Sequence, residues 1–407
     1  RWRERPLWSS QQAVRNAREQ ADVILYLVNA AEDPADAGYV ALEMEVLGWI
    51  GKPVILLLNQ MGPPRAEQGE EVARWRAHLA DVAVVRGALP LDAFARCWVQ
   101  EGALLDTVAP LLDAPKQAAM AALEREWQRR NRQRFEAAMA TLAAPLALAA
   151  SDREPVPDRG LRGQVNDLLR GRSGDPAEVR QAMQRLAERL EGAMTRATDD
   201  LIAAHGLSGR ASRKVRERLG KDYASAGPTK EGYAAILGGL TSGAVGGLAA
   251  DLAAGGLMLG GGMIVGAILG ALGAGSLARG YNVVRGETGE SVGWSEEFCD
   301  NLARTLLLRY LAVAHFGRGR GEYEESEHPA FWQDAVSEVM ARHGDDLRSL
   351  VRSARRGDPA VSAAEATALL RASAQALLLR FYPEGRDVLR PAPAAGRDAD
   401  DTTAGGA

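Results

Sequence analysis

The sequence predicts an α/β domain with a parallel sheet, followed by a mostly α-helical domain that contains an apolar helical hairpin. Three observations indicate this fold class. Apolar runs rich in β-branched residues alternate with amphipathic stretches over residues 1–115, which is typical of βα units. Almost no strand pattern follows Pro115. Between Tyr233 and Ala278, glycine, alanine and other apolar residues fill two helix lengths, with Asp251 as the single charge.

The composition is that of a globular protein and excludes several classes of function. The chain has 407 residues, of which 25% are charged and 46% hydrophobic, enough for about two or three domains with their own cores. A net charge of -4 argues against a nucleic-acid partner. Cys97 and Cys299 are too few for a disulfide framework or a zinc site, so we expect buried thiols in a reducing cytosol. The start at Arg1, without a methionine or a signal peptide, is expected for a cytoplasmic fragment.

The α/β domain is predicted over residues 1–115. Its second strand leads directly into Asn59-Gln60-Met61-Gly62, and the carboxyl ends of strands in open α/β sheets are where ligands bind. The predicted elements are a strand over Val23–Val28, a helix over Tyr39–Ile50, a strand over Val54–Leu58, a helix over Ala66–Leu79, a strand over Val82–Val85 and a helix over Ala103–Leu112.

A connecting helix over residues 116–150 leads into a helical domain over residues 160–385, and residues 386–407 are expected to be disordered. The segment Ser151–Pro157 is polar, contains prolines and is predicted to be a linker. Further helices are predicted from Asp175-Pro176 onward, over Ser295–Phe316, over Pro329–His343 and over Ser362–Phe381, the last with a capping box from Ser362 to Glu365.

The apolar hairpin, residues 233–279, carries glycines four residues apart, so each helix presents a smooth face for close packing. The 18 uncharged residues from Tyr233 to Ala250 would extend about 27 Å, close to the roughly 30 Å of bilayer hydrocarbon. Insertion into a membrane, burial among the surrounding helices, and a cofactor-binding glycine loop are three interpretations. The third is disfavoured because no strand precedes Gly260–Gly262.

Basic residues flank the hairpin, as expected if both of its ends stay cytoplasmic and contact lipid at the inner membrane. After the hairpin stand Arg279 and Arg285. The run before it consists of Arg210, Arg213, Lys214, Arg216, Arg218 and Lys221.

The loop Asn59-Gln60-Met61-Gly62 resembles the base-reading Asn-Lys-x-Asp loop of P-loop GTPases. Four further segments are similar to a group of bacterial TRAFAC-type GTPases that have an Era- or TrmE-like G domain and a C-terminal domain of unknown function. The resemblance covers nearly the whole chain up to the tail. The segments are Val28–Pro34, Gly48–Pro53, Leu89–Phe94 and Leu277–Asn282.

The resemblance implies that residues 1–115 are the second half of a P-loop GTPase domain and that the complete protein binds GTP or GDP with Mg²⁺. Asn59, Gln60, Met61 and Gly62 would contact the base, and Gly62 replaces the carboxylate that selects guanine. Nucleotide state would then alter how the helical domain sits at a membrane or a partner.

The Gly-x-x-x-x-Gly-Lys-Ser/Thr loop and the Asp-x-x-Gly motif of switch II are absent from the sequence. The phosphate and Mg²⁺ sites are therefore expected upstream of Arg1, and the sheet is expected to lack its central strands and to have an exposed edge. The alternative is a non-enzymatic membrane-associated or scaffold protein with a degenerate G domain.

No catalytic or metal-binding residue is predicted, because the histidines show no metal spacing. His315 and His343 lie near predicted helix ends and are expected to contact carbonyl groups there.

Overall fold

A computed structural model describes residues 5–61, 68–91, 97–156, 177–207, 281–286, 289–315, 330–357 and 359–389. Most of these residues are helical, with one three-stranded parallel sheet near the amino terminus and one three-stranded antiparallel sheet in the helical part. The predicted class, an α/β part followed by a mostly helical part, is confirmed.

The amino-terminal part is built from strands and helices that alternate along the chain. Its elements are α1 (Arg5–Glu19), β1 (Ile24–Asn29), α2 (Gly38–Ile50), β2 (Val54–Asn59), α3 (Gln68–His78), β3 (Val85–Pro90) and α4 (Trp98–Val108), followed by a 3-10 turn (Ala109–Leu111). The strands are parallel in the order β1-β2-β3. Val54 to Leu58 of β2 are buried, as expected for a central strand with apolar layers on both faces.

The strand β1 is an open edge in the described sheet. Leu25 and Leu27 pair in register with Ile55 and Leu57 of β2 and point to the same face. Ile55 and Leu57 are buried against α4 and the 3-10 turn, whereas Leu25 and Leu27 are 43% and 56% exposed. The apolar layer on this face therefore stops short of β1, and the prediction of an exposed edge is confirmed.

The helical part is organised around one long helix. Its elements are α5 (Ala114–Ser151), β4 (Arg153–Val156), α6 (Ala177–Ala204), β5 (Tyr281–Gly286), β6 (Gly289–Trp294), α7 (Glu296–Ala314), α8 (Ala330–Arg342), α9 (Gly344–Ala354), α10 (Pro359–Phe381), a 3-10 turn (Pro383–Gly385) and the single turn α11 (Arg386–Leu389). The second half of α5 is buried, with Phe135, Met139, Leu142 and Leu146 at helical spacing against α6, α7 and α10.

The largest difference from the sequence prediction is the second sheet. Ser151–Pro157 was expected to be a linker, but its residues 153–156 form β4, which pairs with β6 in the register Arg153↔Gly293. Pro155 is tolerated because β4 is an edge strand. The Arg189 guanidinium contacts both Asp152 and Glu154 at 2.9 Å and holds α6 beside this strand. The strand β4 is short and its partner lies far along the chain, so it carries no local pattern. By contrast, β5 and β6 are neighbours in the chain and pair with each other, and the sequence prediction missed them.

Smaller corrections concern element boundaries. The strand expected over Val82–Val85 lies at Val85–Pro90, because Val82 and Val84 instead pack under the sheet in the preceding turn. The helix α10 begins at Pro359, so the capping box from Ser362 to Glu365 is wrong: Ser362 is buried inside the helix, and Glu365 accepts a hydrogen bond from Ser353. The helices α1 and α9 were not predicted.

Several predictions fall outside the described residues. They are Gly62, the helix start at Asp175-Pro176, the basic run from Arg210 to Lys221, the hairpin 233–279 and residues 390–407 of the tail. The first residues of the predicted tail were expected to be disordered, but Arg386–Leu389 form α11, because Val388 and Leu389 are buried in the helical core. Within the described ranges, none of the helices combines the length and the apolar character needed to cross a bilayer.

The helix α4 joins the sheet to the helical part. Gly102 allows a close approach of α11, because a Cβ at this position would lie 2.7 Å from a methyl group of Val388. On α4, Asp106 forms a hydrogen bond with Glu124 of α5. Burial, the hydrogen bond with Glu124 and the negative charges of Glu124 and Asp387 together raise the pKa of Asp106 to about 7.

We expect Asp106→Asn to stabilise the protein in alkaline solution. The raised pKa means that the wild-type protein loses stability as pH rises from about 4 to about 7, because the folded state then holds an unfavourable carboxylate. The amide removes this loss, so the variant should be more stable by about 1 kcal/mol at about pH 8, allowing for solvent screening, and no more stable at about pH 4. Urea unfolding at both pH values measures the difference.

The matched control is Asp334→Asn, at an exposed position on α8. An equal effect of the two substitutions, or a gain for Asp106→Asn at acid pH alone, would contradict the assignment.

Candidate functional site

The candidate site lies where β1 and β2 end side by side. Asn29 and Asn59 are register partners at the last position of the two strands. The N–H of Ala30 donates to the carbonyl of Asn59 at 2.8 Å, and the N–H of Ala31 donates to the side-chain oxygen of Asn29 at 3.1 Å. This Asx turn closes the end of β1 and directs the next residues over the sheet edge.

The structure places three of the four predicted site residues together. Asn59 ends the central strand, Gln60 follows it, and Met61 is buried beneath the loop, whereas Gly62 lies outside the described residues. Gln60 has φ of 61°, which makes it the one non-glycine residue with positive φ among the residues described. This left-handed backbone conformation costs a non-glycine residue about 1–2 kcal/mol, so Gln60 is held there by its surroundings.

Gln60 and Met61 line a cleft of about 360 Å³. The remaining lining comes from the loop after β1 and from one face of α3: Ala30, Ala31, Glu32, Asp33, Glu71 and Arg74. These residues were not predicted from the sequence to belong to a site. Glu32 and Asp33 could have been found, because they directly follow a buried parallel strand at the edge where ligands bind. Glu71 and Arg74 carry no such signal, since α3 reaches the cleft only through its packing.

The cleft is rich in hydrogen-bond acceptors. The Arg74 guanidinium lies 3.9 Å from the Asp33 carboxylate. On the other side, the Tyr39 hydroxyl donates to Glu32 at 2.9 Å, and this hydrogen bond raises the pKa of Tyr39. The carboxylates of Glu32, Asp33 and Glu71, with the Gln60 amide, can accept hydrogen bonds from a planar polar ring that presents N–H donors. The three negative charges are unfavourable for phosphate groups, because these are negative too.

The donor set of this edge does not form a metal site. Among the described residues, no three His, Cys, Asp or Glu side chains are grouped so that they could hold a metal ion. These acceptors therefore suit a ligand that presents N–H donors, and among the described residues they suit neither phosphate groups nor a metal ion.

The start of α4 is hydrogen-bonded into the helical part. The Trp98 indole N–H donates to the Tyr310 hydroxyl at 3.3 Å, and the Cys97 thiol forms a hydrogen bond with Tyr382. The Tyr382 hydroxyl lies 2.6 Å from Nε2 of His315. Because Nδ1 of His315 faces the Leu311 carbonyl at 2.7 Å, Nδ1 carries the proton and Nε2 accepts from Tyr382.

These contacts show which predictions for the cysteines and histidines are correct. Cys97 and Cys299 are free and buried as expected, and burial raises the pKa of each thiol to about 12. His315 contacts a carbonyl at the end of α7, which confirms the prediction for it. His343 instead lies 2.9 Å from the Asp346 carboxylate, so the prediction for His343 was wrong.

The family comparison covers α4 and the helical part together. The model of a family described as a domain of unknown function, DUF3482, matches residues 83–378. This chain belongs to the DUF3482 family. The DUF3482 region begins ahead of β3, so it includes the junction at Cys97 and Trp98, and it confirms the predicted C-terminal domain of unknown function. No curated protein and no solved structure matches the chain.

The backbone of Gln60 provides a test of the loop geometry. We expect Gln60→Gly to raise the free energy of unfolding by about 0.5–1 kcal/mol, because glycine adopts positive φ without steric cost. Gln60→Val should lower it by about 1–2 kcal/mol, because a β-branched residue is strongly disfavoured there. Urea unfolding of the two variants and the wild type gives the order, and a glycine variant less stable than the wild type would contradict the left-handed conformation.

Proposed function

We propose that the sheet edge is the base-binding part of a guanine-nucleotide site of the P-loop GTPase type, and that nucleotide binding regulates the DUF3482 helical part. The observation that carries this proposal is the position of Asn59. It ends the central strand of a parallel sheet and is followed at once by a left-handed residue at the rim of an acceptor-rich cleft.

Each residue of the loop has a distinct part in this proposal. The Asn59 amide orients the loop and contacts the base, the Gln60 side chain covers one face of the purine, and buried Met61 supports the turn. Gly62 offers no carboxylate to the N–H groups of guanine, so discrimination against adenine is weak. The phosphates of GTP or GDP, and the Mg²⁺ that neutralises their charge, would be held by groups other than the residues described at this edge.

The route from the base to the helical part is α4. At the start of α4, Cys97 contacts Tyr382 and Trp98 contacts Tyr310 in the core of the helical part. If nucleotide binding shifts the first turn of α4, the shift would act on α7 through Tyr310 and on the end of α10 through Tyr382. Membrane lipid, contacted through the hairpin 233–279 and the basic run from Arg210 to Lys221, is the partner we propose for the regulated state.

Nucleotide binding by the 407-residue chain tests the proposal. We expect a fluorescent GDP analogue to bind with a Kd in the high-micromolar to millimolar range, because the base alone contributes few contacts. Asn59→Ala should weaken binding about tenfold, which corresponds to about 1.4 kcal/mol. Fluorescence anisotropy measures the affinity, and circular dichroism checks that the variant is folded.

The control is Asn301→Ala on α7, far along the chain from the loop, which should leave the affinity unchanged. If the wild type binds no guanine nucleotide, or if both alanine variants lose binding equally, a scaffold protein without nucleotide chemistry is favoured instead.

Restoring the missing carboxylate tests base selection. In Gly62→Asp, the new side chain can accept hydrogen bonds from two N–H groups of guanine that adenine lacks. We expect the ratio of ADP to GDP dissociation constants to rise at least about tenfold over that of the wild type. Competition against the same fluorescent analogue measures the ratio, and a wild-type preference for guanine already above about a hundredfold would contradict the assigned effect of Gly62.

A further inference from the structure

The helix α2 carries two apolar faces, although it packs on the sheet with only one. Val40, Met44 and Leu47 form the buried face, together with the strands and α3. A second row, which we call the outer row, consists of Tyr39, Leu42, Val46 and Trp49. Its spacing of three, four and three residues places the outer row along one side of the helix, away from the sheet.

The outer row is exposed in this structure. Leu42 is 68% and Trp49 77% exposed, Tyr39 is also exposed, and Val46 is partly buried. Large apolar side chains aligned at helical spacing on a surface are typical of a helix-binding face, whereas scattered ones are ordinary.

The charges beside the outer row identify the kind of helix that would fit. Glu43 and Glu45 flank the row on its two sides, and α2 contains no lysine or arginine. By contrast, among the α1 residues from Trp8 onward, Arg15 and Arg18 are the basic residues and Glu19 is the single acidic one. Within the described part of the chain, α1 is therefore a basic helix complementary to the acidic rims of α2.

The helix α1 also has exposed apolar residues of its own. Trp8 and Val14 are exposed, and of the α1 residues from Trp8 onward only Gln12 and Ala17 are partly buried. A helix of 15 residues that packs so little is marginally stable in water, so a packing partner would stabilise it.

The α1 helix of the same molecule is not seated on the outer row. The joint between α1 and β1 is instead tied to the start of α5, because Asp22 forms an ion pair with Lys116. Val23, the next residue, packs with the cluster of Ile55 and Leu57 on the face of the sheet opposite α2. A second molecule has no such restraint on how its α1 approaches.

We propose that the outer row of α2 binds α1 of a second copy of this chain, in a two-fold dimer where each molecule gives one α1 and receives the other. The inference is independent of nucleotide binding. Both contacts are equivalent by symmetry. Burying about 100 Å² at each of Trp8, Val14 and the four outer-row residues in both molecules removes on the order of 1,200 Å², the lower limit for a specific interface.

Sedimentation velocity of the 407-residue chain, from about 1 to about 100 µM, should show a reversible monomer–dimer equilibrium in the micromolar range. Arg18→Glu and Glu45→Arg, each alone, place like charges across both contacts and should weaken the dimer at least tenfold. An equimolar mixture of the two variants should dimerise like the wild type, since one contact is then native and the other has its charges exchanged. Leu42→Ser should also weaken the dimer, and the control Leu123→Ser, at an exposed site on α5, should not.

Three outcomes overturn the proposal. One is a wild-type chain that stays monomeric at every concentration. Another is that a chain carrying both Arg18→Glu and Glu45→Arg dimerises like the wild type while the mixture of the two single variants does not. That result would place α1 on the α2 of its own molecule. The third is a monomer that floats with vesicles containing phosphatidylserine and loses flotation in Arg18→Glu, which would make α1 a lipid-binding helix.

Discussion

The continuity of α5 is the constraint on which the described structure depends. One helix of 38 residues begins beside the sheet and ends in the centre of the helical part. Its exposed first half carries charged residues, and its second half is lined with Phe135, Met139, Leu142 and Leu146. The helix runs on through Pro145, and the same element contacts α4 at one end and α6, α7 and α10 at the other. The division into an α/β domain and a helical domain near residue 115 therefore stays a prediction.

The polar groups buried around α4 restrict how this helix can pack against the helical part. Trp98, Tyr310, Tyr382 and His315 each have a hydrogen-bonding partner across an element boundary. A buried polar group costs free energy unless its partner is retained, so these bonds allow few alternative positions for the start of α4. Leucine side chains in place of these polar groups would pack as tightly, but they would allow the first turn of α4 to slide against its neighbours. The first turn of α4 is thus held in one position relative to the helical core.

The buried strand β2 positions the polar residues at the sheet edge. The buried residues of β2 determine where the strand ends and therefore where Asn59 lies. The hydrogen bonds from Ala30 and Ala31 then turn the neighbouring chain away and open the cleft. On the opposite surface of α2, the outer row and its two glutamates form a separate surface with different chemistry, suited to a basic helix. The cleft and the outer row thus lie on separate sides of α2, and Tyr39 of the outer row contacts Glu32 at the cleft.

The sequence by itself determined the parallel strands, the loop after β2, the buried cysteines and the long helices, because continuous apolar runs and helical spacing are local properties. It could not determine the pairing of β4 with β6, which joins residues far apart in the chain, nor the position of β3, since Val82 and Val84 are apolar for packing rather than for pairing. The local pairing of β5 with β6 was missed because glycines and polar residues interrupt the apolar alternation there. At the candidate site it identified Asn59, Gln60 and Met61. Only the tertiary structure added Glu71 and Arg74, and left the outer row of α2 exposed, because which face of a helix meets solvent depends on what packs against it.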